Sequence, residues 1–217
     1  MLSELHKVDF AAVGLEKYGR AGNYYARQMD RLYSISKAQG LVTDDHGSTV
    51  GDLDGLEEMM VWFEQHKVDD EISLMHGDFK TDNIVFHPET NQVIGILDWE
   101  LSTIGNPLAD LANLLMVWYI PPPIGLRDSK RPLVIPEASE LIMLYCQLKG
   151  RAYPIRGWDF CIAFAFFRMA VILQGVAARI KRNQASSNYA SSVAKLVQPC
   201  CQVVHEIINA GKLTSHM

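Results

Sequence analysis

One stretch, residues 74–100, constrains the fold of this chain more than any other. Its sequence is LMHGDFKTDNIVFHPETNQVIGILDWE. Two short apolar runs, Ile84–Phe86 and 93–97, flank a turn made of Pro, Glu, Thr and Asn, which predicts a β-hairpin. A hairpin returns the chain to its starting point, so we expect Asp98 to lie close to Asn83. The fold must therefore bring a polar loop and an acidic strand end together.

The polar loop, residues 76–83, supplies side chains that are suited to magnesium and phosphate. His76, Asp78, Lys80 and Asn83 follow one another in the order His-x-Asp-x-Lys-x-x-Asn. An Asp and an Asn held side by side, with a second carboxylate nearby, offer the oxygen ligands that Mg²⁺ prefers. The pattern indicates a phosphoryl-transfer site. The alternative is a polar surface loop that precedes an ordinary hairpin.

HGDFKTDN together with ILDWE resembles the aminoglycoside phosphotransferase and choline kinase-like family, the small-molecule relatives of protein kinases. Within this family, the phosphotransferase domain fused to acyl-CoA dehydrogenases is similar in three segments. These segments are HGDFKTDNIVFHPE, LDWELSTIGNPLADLA and WDFCIAFAFFRMAVILQGVAARI. The resemblance covers about residues 74–181. It implies a kinase-like fold and an ATP- and Mg²⁺-dependent phosphotransferase.

The resemblance also implies a role for each residue of the loop. Asp78 would accept or orient the proton of the substrate hydroxyl. Lys80 would lie near the transferred phosphate of the nucleotide, and His76 would brace the catalytic loop. Asn83 and Asp98 would hold Mg²⁺ and, with it, the nucleotide.

The family resemblance also covers two further carboxylates. Glu100 is usual after the acidic strand end in the small-molecule branch. Asp110 stands where the family has an Asp that buttresses the catalytic loop from a helix start. The alternative for Asp110 is a favourable interaction with the positive end of its own predicted helix, which begins near Pro107.

Apolar periodicity predicts an α+β fold that is mostly helical. The predicted helices lie at residues 23–39, 53–66, 108–119, 137–148, 158–181 and 189–208. We expect one domain over residues 1–217, in which 1–73 is a helical lead-in, 74–100 carries the loop and hairpin, and 101–217 is a helical subdomain on the substrate side. This is the C-terminal lobe of a protein kinase-like fold. No V-A-I-K-like strand or glycine-rich turn precedes the loop, so we expect the N-terminal lobe to be absent from this chain.

The candidate substrate residues each have two interpretations. Trp118, Tyr119 and Trp158 could form an aromatic wall for a quaternary ammonium group, or pack in the core. Arg168 lies in an apolar helix, where it could pair with a buried carboxylate or meet an anionic substrate group. The family resemblance points to a hydroxylated acyl compound as the acceptor.

Composition limits the partners and the compartment. A net charge of −5 argues against nucleic acid, since phosphate backbones require a basic face. The apolar segment 160–178 contains Arg168 and Gln174, so we expect a core helix rather than a membrane span. Four cysteines without metal-ligand spacing, and no apparent targeting stretch, indicate reduced thiols in the cytoplasm. The ending Ser-His-Met loosely resembles a peroxisomal signal, which leaves the peroxisome as the alternative.

The expected function is therefore ATP- and Mg²⁺-dependent phosphorylation of a small-molecule hydroxyl. A missing N-terminal lobe, or an acyl-CoA dehydrogenase partner, would complete the site. One alternative is a pseudokinase-like binding module that lacks catalysis because the N-terminal lobe is absent. Another is a metal-dependent hydrolase that uses His76, Asp78, His87 and Asp98.

Overall fold

The computed structural model describes residues 1–90, 92–122, 124–129, 134–185 and 189–210. The last residue of the predicted hairpin turn, Asn91, and the Ser-His-Met ending lie outside the described residues. The fold is α+β and about half helical, in agreement with the predicted class. The helices are α1 (Leu2–Leu5), α2 (Tyr24–Gly40), α3 (Leu56–Gln65), α4 (Pro107–Leu115), α5 (Ala138–Lys149), α6 (Trp158–Lys181), α7 (Ala190–Ala194) and α8 (Val197–Ala210). The strands are β1 (Ser73–Met75), β2 (Ile84–Phe86), β3 (Val93–Ile96) and β4 (Thr103–Gly105).

The chain divides into two compact units, and the first contains the polar loop. This unit comprises Met1–Tyr24 and Val68–Trp158. It holds two antiparallel two-stranded sheets, in which β1 pairs with β4 and β2 pairs with β3. Helix α4 packs against β1, and α1 packs against α5. The predicted hairpin is present as β2 and β3, with Ile84 opposite Ile96.

The start of α4 is well specified by local sequence. Asn106 is the N-cap, and its side-chain oxygen accepts a hydrogen bond of 3.0 Å from the backbone amide of Leu108. Pro107 occupies the first helical turn, where the missing amide hydrogen is not needed. The buried face of α4 includes Leu108, Leu111 and Leu115. These signals place the first turn of α4, including Asp110, at a defined point beside β1.

The second unit comprises Tyr25–Lys67 and the described residues from Asp159 onward. Its core is a cluster of aromatic rings. Tyr25 makes edge-to-face contacts with Phe160 and Phe164, and Phe63 contacts Phe160, Phe164 and Phe167. Such pairs stabilise a core beyond the area that they bury.

Helix α6 is long and apolar enough to cross a membrane by length and composition alone. However, 67% of its most apolar 18-residue window is buried inside the protein. Gln174, near its middle, accepts a hydrogen bond of 2.8 Å from Ser36 and donates one of 2.9 Å to the carbonyl of Gly51. The prediction of a core helix is confirmed.

Three local predictions were incomplete. The small sheet of β1 and β4 was not predicted, because strands of three residues carry no readable alternation. The helix predicted at 108–119 is α-helical only as far as Leu115 and continues as a 3₁₀ turn, Met116–Tyr119. The helix predicted at 189–208 is two helices, because the amide of Leu196 bonds to the carbonyl of Val193 in a tighter turn.

Candidate active site

The polar loop leaves β1 through a glycine that no other residue can replace without strain. Gly77 has φ of +84°, a left-handed conformation that residues with a side chain rarely adopt. A Cβ at this position would stand 2.1 Å from the carbonyl oxygen of Leu101. The loop therefore passes in close contact with the backbone that follows β3, and only glycine allows that approach.

The carboxylate of Asp110 holds the start of the loop. It accepts hydrogen bonds from the backbone amides of His76, at 2.6 Å, and Gly77, at 2.8 Å. Asp110 is 1% exposed, and its two oxygens bind loop amides while Asn106 caps the helix. The carboxylate thereby supplies acceptors for two buried backbone amides. His6, a residue that sequence reasoning did not single out, also lies 3.2 Å from Asp110.

The ring of His76 ties the loop to the end of β3. Its Nδ1 accepts a hydrogen bond of 3.2 Å from the amide of Asp78, so the ring hydrogen resides on Nε2. Nε2 donates to the carbonyl of Leu97 at 2.8 Å. The side chain is fully buried and contacts the rings of Phe79 and Trp99. His76 is thus enclosed within the loop and has no face toward solvent.

The carboxylate of Asp78 is the centre of the polar cluster. Its Oδ2 lies 2.8 Å from Lys80 Nζ and 3.2 Å from Asn83 Nδ2. Asn83 Nδ2 also donates to the backbone carbonyl of Asp78, at 2.9 Å. The Asp78 side chain is 17% exposed, so it is held by the protein but remains open to a small molecule.

Asn113 is a second residue that sequence reasoning missed. Its Nδ2 donates to the carbonyl of Phe79 at 3.1 Å and lies 3.5 Å from Asp78 Oδ1. It stands one helical turn after Asp110 on α4, so both side chains reach the loop from the same face of the helix. That spacing of three residues was the available signal.

The hairpin brings Asp98 back to the loop at backbone level. The amide of Leu97 donates to the carbonyl of Asn83 at 2.8 Å, immediately before Asp98. Asp98 has φ of +65° and ψ of +58°, and its side chain is exposed. Because Asn83 directs its amide nitrogen to Asp78, its Oδ1 is the atom that could bind a cation. An amide oxygen and an exposed carboxylate fit Mg²⁺, which usually takes one or two protein ligands together with substrate phosphates.

The remaining predicted residues of this unit are Glu100 and the three aromatic candidates for a substrate wall. Glu100 is exposed in the short 3₁₀ helix Trp99–Leu101, which follows Asp98. Trp158 Nε1 donates to the hydroxyl of Tyr119 at 2.8 Å, whereas Trp118 Nε1 donates to the carbonyl of Pro136 at 3.2 Å. The structure therefore joins Tyr119 to Trp158 directly and gives Trp118 another partner.

Two further candidates belong to the second unit or make other contacts. Arg168 is half-buried in the part of α6 that belongs to the second unit. His87 Nδ1 accepts the amides of Glu89 and Thr90 at 3.2 and 3.3 Å, as a turn residue does. Among the described residues, no three His, Cys, Asp or Glu side chains gather as metal ligands.

A model of the phosphotransferase enzyme family, APH, matches residues 1–131, and the chain belongs to this family. The resemblance that HGDFKTDN and ILDWE carried is confirmed.

The similar proteins are longer than this chain, which matches only a part of each. Mouse acyl-CoA dehydrogenase family member 10 is 36% identical over 94% of this chain and 19% of its own length. Human acyl-CoA dehydrogenase family member 11 is 34% identical over 93% of this chain and 25% of its own length. A candidate aminoglycoside phosphotransferase from Ralstonia eutropha JMP134 has a similar structure, with a TM-score of 0.80 and 35% identity. The match covers 96% of this chain and 62% of that one. This chain thus spans a quarter or less of the two dehydrogenase-named relatives.

Proposed function

We propose that this chain carries the catalytic loop of an ATP- and Mg²⁺-dependent phosphotransferase that acts on a hydroxyl group of a small molecule. The observation that carries the proposal is the arrangement around Asp78. Its carboxylate lies within 3.2 Å of Lys80 and Asn83 in a loop that Asp110 holds by two amides. Phosphoryl transfer depends on positioning and charge neutralisation, and such a loop supplies both.

Asp78 is the proposed base. Its carboxylate accepts a hydrogen bond from Asn83 and forms an ion pair with Lys80. The carboxylate is therefore oriented before substrate arrives. Its partial exposure leaves room for a hydroxyl group to approach and hand over its proton. Lys80 is the proposed phosphate contact, because a cation beside the base neutralises charge on the transferred group.

Asn83 Oδ1 and Asp98 are the proposed magnesium ligands. Mg²⁺ bound there would neutralise charge on the nucleotide phosphates, while the two residues themselves fix where the phosphates can lie. Glu100 follows Asp98 within the same exposed turn and is the proposed support for it.

Apolar side chains on the hairpin favour an additional surface that covers it. Large apolar residues of the hairpin and the turn after it are exposed by 39% or more. They are Phe86, Ile94, Leu97, Trp99 and Leu101. A cluster of this kind marks a binding surface. We infer that a nucleotide-clamping segment, corresponding to the N-terminal lobe of kinases, or an acyl-CoA dehydrogenase partner lies here in the working enzyme.

A non-catalytic binding module is the second candidate. In residues 1–72, all of which the structure describes, β pairing is limited to the bridge between Thr43 and Thr49. A β-rich lobe that clamps nucleotide phosphates is therefore not formed by this segment. If such a lobe is not supplied, the chain would bind nucleotide or a partner without transfer.

The proposed acceptor is a hydroxylated acyl compound. This choice is supported by the names of the relatives, which are acyl-CoA dehydrogenase family members. A hydroxyl on such a compound is a nucleophile that Asp78 can serve. Amino alcohols are the class of acceptor against which hydroxylated acyl compounds should be compared.

Calorimetric titration of the chain with ATP in the presence and absence of Mg²⁺ is the first experiment. We expect binding that depends on Mg²⁺, and ADP release when a hydroxylated acyl compound is added. Asp78→Ala should abolish ADP release and leave nucleotide affinity largely unchanged. Asp98→Ala should chiefly weaken the Mg²⁺-dependent part of nucleotide binding.

Asp82→Ala is the matched control, because Asp82 is an exposed carboxylate in the same loop. It should change neither property. Unchanged turnover in Asp78→Ala would refute the base, and unchanged Mg²⁺-ATP affinity in Asp98→Ala would refute the metal ligand. Binding without turnover for every acceptor would favour the binding module.

A further inference from the structure

A buried chain of three polar side chains lies next to the polar loop, and the proposed reaction does not use all of it. His6 Nε2 is 3.2 Å from Asp110 Oδ2, and His6 Nδ1 is 2.8 Å from the hydroxyl of Tyr145. His6, Tyr145 and Asp110 are 3%, 5% and 1% exposed. These residues are separated by 104 and 139 positions in sequence, so tertiary packing alone brings them together.

The direction of each hydrogen bond follows from the chemistry of the partners. Asp110 already accepts the amides of His76 and Gly77, and a carboxylate has only acceptor atoms. His6 Nε2 must therefore carry the hydrogen that it shares with Asp110. In the neutral ring Nδ1 is then an acceptor, and the hydroxyl of Tyr145 donates to it. Burial raises the pKa of Tyr145, which keeps this hydroxyl protonated as a donor.

Helix α5 holds the backbone of His6 as well as its ring. Lys149 Nζ donates to the carbonyl of His6, and Ser73 Oγ donates to the same oxygen at 2.9 Å. Tyr145 and Lys149 are four residues apart on α5, so they project from one face of the helix. The position of His6 is consequently defined by α5 at two points.

We propose that Tyr145 is a positioning residue of the phosphotransferase site, which acts by holding the ring of His6 at Nδ1 and thereby the orientation of Asp110. The role of Tyr145 in catalysis rests on the proposed function, whereas its role in holding His6 and the loop rests on the hydrogen bonds alone. The relay runs from Tyr145 on α5, through His6 and Asp110, to the amides of His76 and Gly77. Those two amides set the course of the loop toward Asp78.

Loss of the Tyr145 hydroxyl has a defined consequence. The buried Nδ1 of His6 would lack its donor. The hydrogen would stay on Nε2, because the other tautomer turns the Nε2 lone pair toward the Asp110 carboxylate, and the ring would be held through Nε2 alone. Asp110 would then be held less firmly, and the two loop amides would open more often.

The test is nuclear magnetic resonance of the full chain with ¹⁵N-labelled histidine, combined with amide hydrogen exchange. In the wild type, we expect the ring hydrogen of His6 on Nε2 and an unprotonated Nδ1 that accepts a hydrogen bond. In Tyr145→Phe, we expect the hydrogen to stay on Nε2 and the ¹⁵N resonance of Nδ1 to shift, because Nδ1 no longer accepts a hydrogen bond. Exchange at the amides of His76 and Gly77 should be about tenfold faster, which corresponds to the loss of one buried hydrogen bond.

Tyr33→Phe is the matched control, because Tyr33 also donates to a carboxylate, Glu57, at 3.0 Å but in the second unit. It should leave the Nδ1 resonance of His6 and the loop exchange unchanged. Exchange of the α6 amides should be the same in both variants, which separates a local effect from general destabilisation.

Three results would overturn the proposal. The first is a hydrogen on Nδ1 of His6 in the wild type, a measurement that needs no variant to fold. The second is an unchanged Nδ1 resonance of His6 together with unchanged loop exchange in Tyr145→Phe. The third is loop exchange that rises equally in Tyr33→Phe. These readouts decide the role of Tyr145 independently of turnover. In an active chain, Tyr145→Phe should in addition lower kcat without raising the KM for ATP.

Discussion

The close approach at Gly77 makes a quantitative prediction for Gly77→Ala. An added Cβ would lie 2.1 Å from the carbonyl oxygen and 2.7 Å from the carbonyl carbon of Leu101. Both are backbone atoms, so no side chain can rotate away, and the loop must move. The left-handed backbone itself costs a non-glycine residue about 1–2 kcal/mol.

Movement of the loop also costs hydrogen bonds. The amides of His76 and Gly77 bond to Asp110 at 2.6 and 2.8 Å, and each such bond contributes about 1 kcal/mol. If both are lost, the total destabilisation of the loop is about 3–4 kcal/mol. That is a large fraction of the 5–15 kcal/mol that typically stabilises a native fold.

Gly14→Ala is the matched control. Gly14 has φ of +80°, nearly that of Gly77, lies in the same unit, and has nothing within 4 Å of the added Cβ. It should show only the backbone cost, reduced by about 0.4–1 kcal/mol because alanine restricts the unfolded chain. The difference between the two variants isolates the contact with Leu101.

Native-state hydrogen exchange is the appropriate assay, since a chain of two compact units need not unfold in one step. The free energy of opening is read at the amides of β1 and β4, which pair beside the loop. We expect Gly77→Ala to lower it by about 2 kcal/mol more than Gly14→Ala does. Equal effects within about 0.5 kcal/mol would show that the approach of Leu101 does not constrain the loop.

Two further predictions concern titratable groups. The hydrogen bond to Lys181, at 2.6 Å, and the amide of Ser48 hold the pKa of Asp44 below its ordinary value. Because the folded-state pKa is the lower one, this stabilisation is present above the unfolded pKa and is lost as pH falls through the folded pKa. Between about pH 5 and about pH 3, the wild type should therefore lose more stability than Asp44→Asn, as measured by urea unfolding; parallel curves would refute the assignment. Burial raises the pKa of Cys200 to about 12 and of Cys201 to about 11. Ellman's reagent at pH 8 should label neither thiol until guanidinium is added, and rapid labelling of the native chain would contradict their burial.

Much of the fold could be predicted because its signals are local. The hairpin follows from two apolar runs around a turn, and α6 follows from a long apolar segment with helical length. Both depend on residues within a few positions of one another. The prediction failed where the signal was too short, as in the three-residue strands β1 and β4, or where a tight turn interrupted a continuous pattern, as between α7 and α8.

The loop itself could be predicted from neighbouring residues, whereas some of the residues that hold it could not. The loop's residue types and their spacing were sufficient to predict the family, and the family match confirms it. Asn113 and His6 were missed because an asparagine in a helix and a histidine near the start of a chain carry no distinguishing pattern.

By itself, the sequence determined the class of protein, the polar loop and the residues that the loop presents, because these depend on neighbours in the chain. Apart from Asp110, which the resemblance predicted, only the tertiary structure decided which side chains support the loop. Tyr145, His6 and Asp110 meet through hydrogen bonds between positions 104 and 139 residues apart. Trp118 and Trp158, which the sequence grouped together, bond to different partners. Contacts of this kind depend on how buried polar groups find partners when the chain packs, and no local pattern encodes that choice.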